Sequence, residues 1–149
     1  MDNFVFRYEN LLKIREKEEE QCKNRLASES RDLMVLNQKL DEIEARQKSF
    51  LIEVEVAVSE GCSVQKLREA EAEKKWLKET SENQKVLISM KEQAVFEARK
   101  TLEEAMKRKK ILEKLREYEY EEFQQQIEAS EEQLSDQLVS FRDAVNKRK

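Results

Sequence analysis

Histidine and proline are both absent from the 149 residues, and glycine occurs once. Without histidine there is no Ser-His-Asp or Cys-His catalysis, little route to a zinc site, and no histidine pH switch. Without proline, and with a single glycine, the chain cannot make the many tight turns of a β fold. The same shortage excludes a P-loop or a dinucleotide-binding loop, which need several glycines. The two cysteines, Cys22 and Cys62, lie far apart in sequence. On one helix they would be roughly 60 Å apart, against the about 4.4–6.8 Å that a disulfide allows. No intrachain disulfide is expected, and nothing points to an oxidising compartment. Long hydrophobic runs are missing as well. Met1 to Glu20 lacks the apolar core of a signal peptide and is too polar to span a bilayer. The expectation is a cytoplasmic protein with no direct membrane insertion.

What the chain does have is charge. Charged residues make up 42% and apolar residues 38%, the latter below the roughly 45–50% usual for globular domains. More than half of the chain is Ala, Glu, Lys, Leu or Arg, the composition of a long helix or coiled coil. The net charge of −4 argues against bulk attraction to nucleic acid or anionic lipid.

Only Ser59-Glu60-Gly61-Cys62-Ser63 punctuates the sequence. Gly61 can take a positive φ at a helix end, and Ser63 can cap the next helix. The reading is one coiled-coil domain over 1–149, with helix 1 at about 3–58, a turn at 59–63 and helix 2 at about 64–146. Asp2 or Asn3 is the expected N-cap, and the basic tail from Lys147 suits a helix C-terminus. Val54, Val56 and Val58 alternate as in a strand. A lone strand would have no partner here, so the stretch is read as helical.

Helix 1 carries a heptad seam. One position holds Val5, Leu12, Glu19, Leu26, Leu33, Leu40, Gln47 and Val54. The other holds Tyr8, Arg15, Cys22, Glu29, Leu36, Ile43, Phe50 and Ala57. Most of these are apolar, as a coiled-coil seam requires. The exceptions between Arg15 and Glu29 imply loose packing or contact with another protein. The helix 2 seam is weaker, running from Leu67 through Leu77, Ile88, Val95, Ala98, Lys109 and Leu112 to Phe123. Beyond Phe123 the apolar set continues as Ile127, Leu134, Leu138, Phe141 and Val145, with the phase slip of a stutter. Pairs such as Glu19–Lys23 and Glu42–Arg46 have the i,i+4 spacing that supports an isolated helix.

A short connection makes the helices antiparallel. Leu40 should then face the Glu82–Lys85 turn, and Tyr8 the Lys114–Glu117 turn. The expected fold is all-α: a long antiparallel two-helix coiled coil, or α-hairpin, with the longer helix 2 projecting as a C-terminal overhang.

No pocket for catalysis is expected in such a rod. An enzyme is not expected, nor is any cofactor or metal. Function should therefore lie on the surface, and three regions stand out. The termini bring together Phe4, Phe6, Tyr8, Leu11, Leu12 and Arg15 with Leu112, Leu115, Tyr118, Tyr120 and Phe123. They form either a satisfied bundle end or a docking tip, since aromatic and Arg residues are favoured anchors. The run Lys107, Arg108, Lys109, Lys110, Lys114 and Arg116 is either a solvated face balanced by Glu103, Glu104 and Glu113 or a patch for an acidic protein groove. Nucleic acid is disfavoured because no aromatic residues interleave with the run. At the hairpin end, Phe50, Leu51, Cys62, Leu67, Trp76 and Leu77 are either core or, through the single tryptophan, a partner contact.

The pattern Phe4-x-x-Arg7-x-Glu9-x-x-Leu12-x-x-Arg15-Glu16 resembles the start of the FliJ family, stalk proteins of the flagellar type III export apparatus. Ala98-Arg99, Leu102, Ala105, Arg108-Lys109, Leu112-Glu113-Lys114-Leu115, Glu117 and Phe123 resemble the same family, as does the single break at Gly61 with Ser63 and Leu67. The resemblance covers nearly the whole chain. It implies a hairpin similar to the central stalk of rotary ATP synthases. It also implies that the protein enters the hexameric flagellar export ATPase, promotes its assembly and activity, links it to the cytoplasmic region of the export gate protein, and escorts export chaperones. The location it implies is peripheral, at the cytoplasmic face of the inner membrane. Phe4, Arg7, Glu9, Leu12, Arg15, Leu112, Lys114, Leu115 and Arg116 fall on the end that would meet the ATPase, and Lys109 and Lys110 belong to the basic run beside them. Leu40, Ile43, Phe50 and Trp76 fall toward the half that would meet the gate. Some members carry aromatic residues where this chain has Ala45, Arg46 or Gln47. The competing readings are the equivalent stalk of a virulence-type secretion system and a generic coiled-coil adaptor.

Overall fold

The structure, a computed structural model, describes residues 3–148. Two helices account for nearly all of it: α1, Glu9–Glu60, and α2, Val64–Lys147. They pack against each other as a hairpin, and no strand occurs among the described residues. The valine-rich stretch from Leu51 to Val58 is helical throughout.

The turn follows from its residues. Gly61 has φ 92°, a conformation that a Cβ disfavours, and its N–H donates to the Val58 carbonyl at 3.2 Å. Ser63 then caps α2: the Lys66 N–H donates to Ser63 Oγ at 3.2 Å, satisfying one of the helix's unpaired donors.

The start of α1 differs from the expectation of about residue 3. Residues 4–8 are not helical, and the first helical residue is Glu9. Asp2 lies outside the described residues, and Asn3 caps nothing, because the helix begins six residues later. The Glu9 N–H donates to the Phe6 carbonyl and the Leu12 N–H to that of Tyr8. The cause is burial. Phe6 is 4% exposed and clusters with Leu12 and Leu112, and that apolar burial stabilises the non-helical segment along α2. The other boundaries, Glu60, Val64 and Lys147, are within two residues of those read from the sequence.

The chain divides into two compact units. One holds the residues up to Glu19 with those from Glu104 onward, and the other is Glu20–Glu103. In the first, Phe6, Leu12 and Leu112 form the core, with Phe4, Leu11 and Leu115 packed against it. In the second, Phe50, Leu77, Ile88, Val95 and Ala98 are buried. From Leu12 to Val54 every heptad position read from the sequence is buried or half-buried. At its ends Val5, Tyr8 and Ala57 are exposed.

The polar seam positions do not mark loose packing. Glu19, only 5% exposed, meets Lys109 Nζ at 2.9 Å. Glu29 meets Lys91 at 2.9 Å, and Gln84 donates to the Leu36 carbonyl at 3.0 Å. Lys109 and Lys91 are the partners supplied by the weaker α2 seam. Buried or half-buried charges are tolerated when so paired. Gln84 falls opposite Leu36, one turn short of the Leu40 pairing expected. At the other unit Glu9 Oε2 meets Arg116 Nε at 3.3 Å, beside the expected Tyr8 register. Arg46, expected to pair with Glu42, instead reaches Glu53 and Glu73, each at 3.1 Å.

Candidate interaction surfaces

In the first unit the segment before α1 places Phe4 on α2. Its ring meets Tyr120 edge-on at 5.2 Å and Phe123 at 5.6 Å. Arg7 lies over the Tyr8 ring at 5.4 Å, a cation–π geometry. Phe4, Leu12, Glu16, Glu113, Arg116, Glu117 and Tyr120 line a shallow groove. Its acids and aromatic rings suit a cationic side chain. Glu16, Glu113 and Glu117 were not singled out as contacts from the sequence. Glu113, Glu117 and Tyr120 share one helix face by their i, i+4, i+7 spacing, which is the signal that could have found them.

The candidate residues of this unit sort into two sets. Leu12 and Leu112 are buried, and Leu115 is half-buried in the core. Arg15 donates to Glu18 at 2.9 Å, and Glu9 and Arg116 hold each other. Lys109 is held by Glu19, with Glu113 at 3.6 Å. The hydrogen bond to Glu19 raises its pKa above the ordinary lysine value, and partial burial opposes that rise. Arg7, Lys110 and Lys114 are exposed, as are Lys107 and Arg108. The basic run is therefore split: one member closes the seam and most of the others face solvent.

In the second unit a groove is floored by Phe50, Leu51 and Leu77 and rimmed by Lys48, Lys74, Lys78 and Lys85, with Glu44 and Glu82. An apolar floor with a mainly basic rim suits an amphipathic acidic segment. Leu40 and Ile43 are half-buried seam residues, and Phe50 is 6% exposed. Arg46 lies over the Phe50 ring at 5.8 Å. Its pKa is raised by its hydrogen bonds to Glu53 and Glu73. Trp76 is 61% exposed and so is not a core residue. Thr80 Oγ1 donates to its carbonyl at 2.8 Å.

The family model described as Flagellar FliJ protein matches residues 4–148. The chain belongs to the FliJ family. Neither a curated protein nor a solved structure matches it. The FliJ match takes in the segment before α1, both helices and the overhang. Membership places the chain among flagellar export-related stalk proteins, a structural and escort family. No helix among the described residues is long and apolar enough to cross a membrane.

Proposed function

We propose that this FliJ-family chain is the stalk of a flagellar protein-export apparatus. It binds the hexameric export ATPase, promotes its assembly and activity, and links it to the cytoplasmic domain of the export gate and to export chaperones. It works as one coiled-coil domain in the cytoplasm, held peripherally at the inner membrane through the apparatus, and carries out no catalysis of its own. The observation that carries this reading is the family match over residues 4–148.

The surfaces give the reading its form. Arg7, Lys110 and Lys114 are exposed in the first unit, which we assign to the ATPase. Leu12, Leu112 and Leu115, with the pairs Glu9–Arg116 and Arg15–Glu18, hold that surface in shape. Phe4 does the same while lining the groove, and Lys109 closes the seam with Glu19. One stalk facing six similar surfaces gains from weak, solvated charge contacts rather than a deep apolar lock, because rim charges set encounter rate and orientation more than residence time. The gate contact is assigned to the second unit, through Trp76 and the groove over Phe50, with Leu40 and Ile43 as half-buried seam residues of the same unit.

The test is ATP hydrolysis by the purified flagellar export ATPase across a titration of this chain, with hexamer followed by sedimentation. A saturable rise in rate with more hexamer is expected. An unchanged rate with both proteins folded would overturn the reading and leave a coiled-coil adaptor. Trp76 reports the second contact. As the only tryptophan and an exposed one, its emission should move to shorter wavelength when the gate domain is added.

A further inference from the structure

The apolar stripe of α2 continues past the last residue that anything in its unit covers. At its upstream end Tyr120 and Phe123 are capped by Phe4. Downstream, Leu134, Leu138, Phe141 and Val145 are 61%, 64%, 68% and 40% exposed. Their spacing of four, three and four residues places them on one narrow helix face. In heptad terms Leu138 and Val145 take one seam position and Leu134 and Phe141 the other. Glu131 and Arg148 hold the seam positions immediately before and after them. The flanking charge is also divided. Glu128, Glu131, Glu132 and Asp136 make the first half acidic. Arg142, Lys147 and Arg148 make the second half basic, with Asp143 the one acid among them.

We propose that a second copy of this chain covers the stripe, its helix running antiparallel over residues 131–148. In that orientation Leu138 packs against Phe141 of the second copy and Leu134 against its Val145. Glu131 meets the second copy's Arg148 at each end. One register therefore buries all four apolar residues and closes both ends with opposite charges. A parallel pairing would stack Glu131 on Glu131 and Arg148 on Arg148, which like-charge repulsion disfavours. Charge complementarity thus selects both the occupant and its direction. The arrangement goes beyond the stalk role: a paired overhang is one whose apolar face is withheld from any other protein.

The test is the mass of the full chain by sedimentation equilibrium over a wide concentration range. A concentration-dependent shift from 17.8 kDa to twice that mass is expected. Leu138→Ser with Phe141→Ser should abolish the shift without loss of helicity, because both side chains are exposed. Glu131→Arg alone and Arg148→Glu alone should each weaken dimerisation about tenfold, roughly one well-placed charge reversal. The two reversals together should restore it. A chain that stays monomeric at every concentration overturns the proposal and leaves the stripe to a different protein. A dimer that survives the serine substitutions, or one that the double reversal does not restore, overturns this interface and its register.

Discussion

Glu19 shows how a single residue can be misread by hydrophobic pattern alone. A glutamate in a seam looks like a weak point, yet it is 5% exposed and bound to Lys109 at 2.9 Å. Lys109→Ala should cost about 1–3 kcal/mol, since it strips the cation from a buried carboxylate. Replacing the pair together, Glu19→Leu with Lys109→Leu, should recover most of that loss, because two apolar groups need no partner. Urea unfolding followed by helicity distinguishes the two outcomes. The pH dependence follows from the direction of the shifts. Lys109 and Lys91 are raised above 10.5, first by their hydrogen bonds to Glu19 and Glu29. Their contribution is complete below the ordinary lysine value and is lost as pH rises through the raised one. The urea midpoint should therefore hold up to the ordinary lysine value and fall as pH rises through the raised ones, and fall less in Lys109→Ala. Gly61 makes a separate case. A Cβ there meets nothing within 4 Å, so Gly61→Ala should cost only the backbone term of about 1–2 kcal/mol at φ 92°. Asparagine at the same position should cost less than alanine.

At the scale of the element, the segment before α1 is where local preference gave way to packing. An N-cap at residue 2 or 3 was a reasonable expectation from Asp2 and Asn3, but Phe6 is buried against Leu12 and Leu112, and helix over 3–8 is given up to bury it. Phe6→Ala should remove about 3 kcal/mol of local stability, the lower end for a buried phenylalanine. Hydrogen exchange should locate that loss in residues 4–12 and 112–123, with the turn at Gly61 unchanged. A uniform loss of protection along both helices would contradict the local account. The turn behaved differently because its chemistry is short-range: Gly61 and Ser63 act on their own backbone, and both roles were legible from residue type.

At the scale of the whole molecule, the division of the basic run decides how its function should be probed. Reversing Lys109, Lys110 and Lys114 together would mix a seam defect with a surface change. Lys110→Glu with Lys114→Glu leaves the Glu19 pair intact and should raise the concentration needed for half-maximal ATPase stimulation about tenfold, the equivalent of 1.4 kcal/mol. Lys109→Ala should instead lower stability first. Stimulation that is unchanged by the double reversal in a helical protein would remove the basic face from the ATPase contact. Trp76→Ala should leave helicity near native, given its exposure, while weakening gate binding.

Helix content, the single turn and the seam from Leu12 to Val54 follow from composition and period, because those depend on which residues recur and how often. The FliJ resemblance was legible for the same reason, as an ordered set of residues spread over nearly the whole chain. What the sequence could not decide was which charges face each other. Pairing of Glu19 with Lys109, of Glu29 with Lys91 and of Gln84 with the Leu36 carbonyl depends on the register of one helix against the other. Register is a long-range property: a shift of one turn preserves every local propensity and changes every cross-helix partner. The folded tertiary structure alone therefore decided which members of the basic run close the seam and which remain available to another protein.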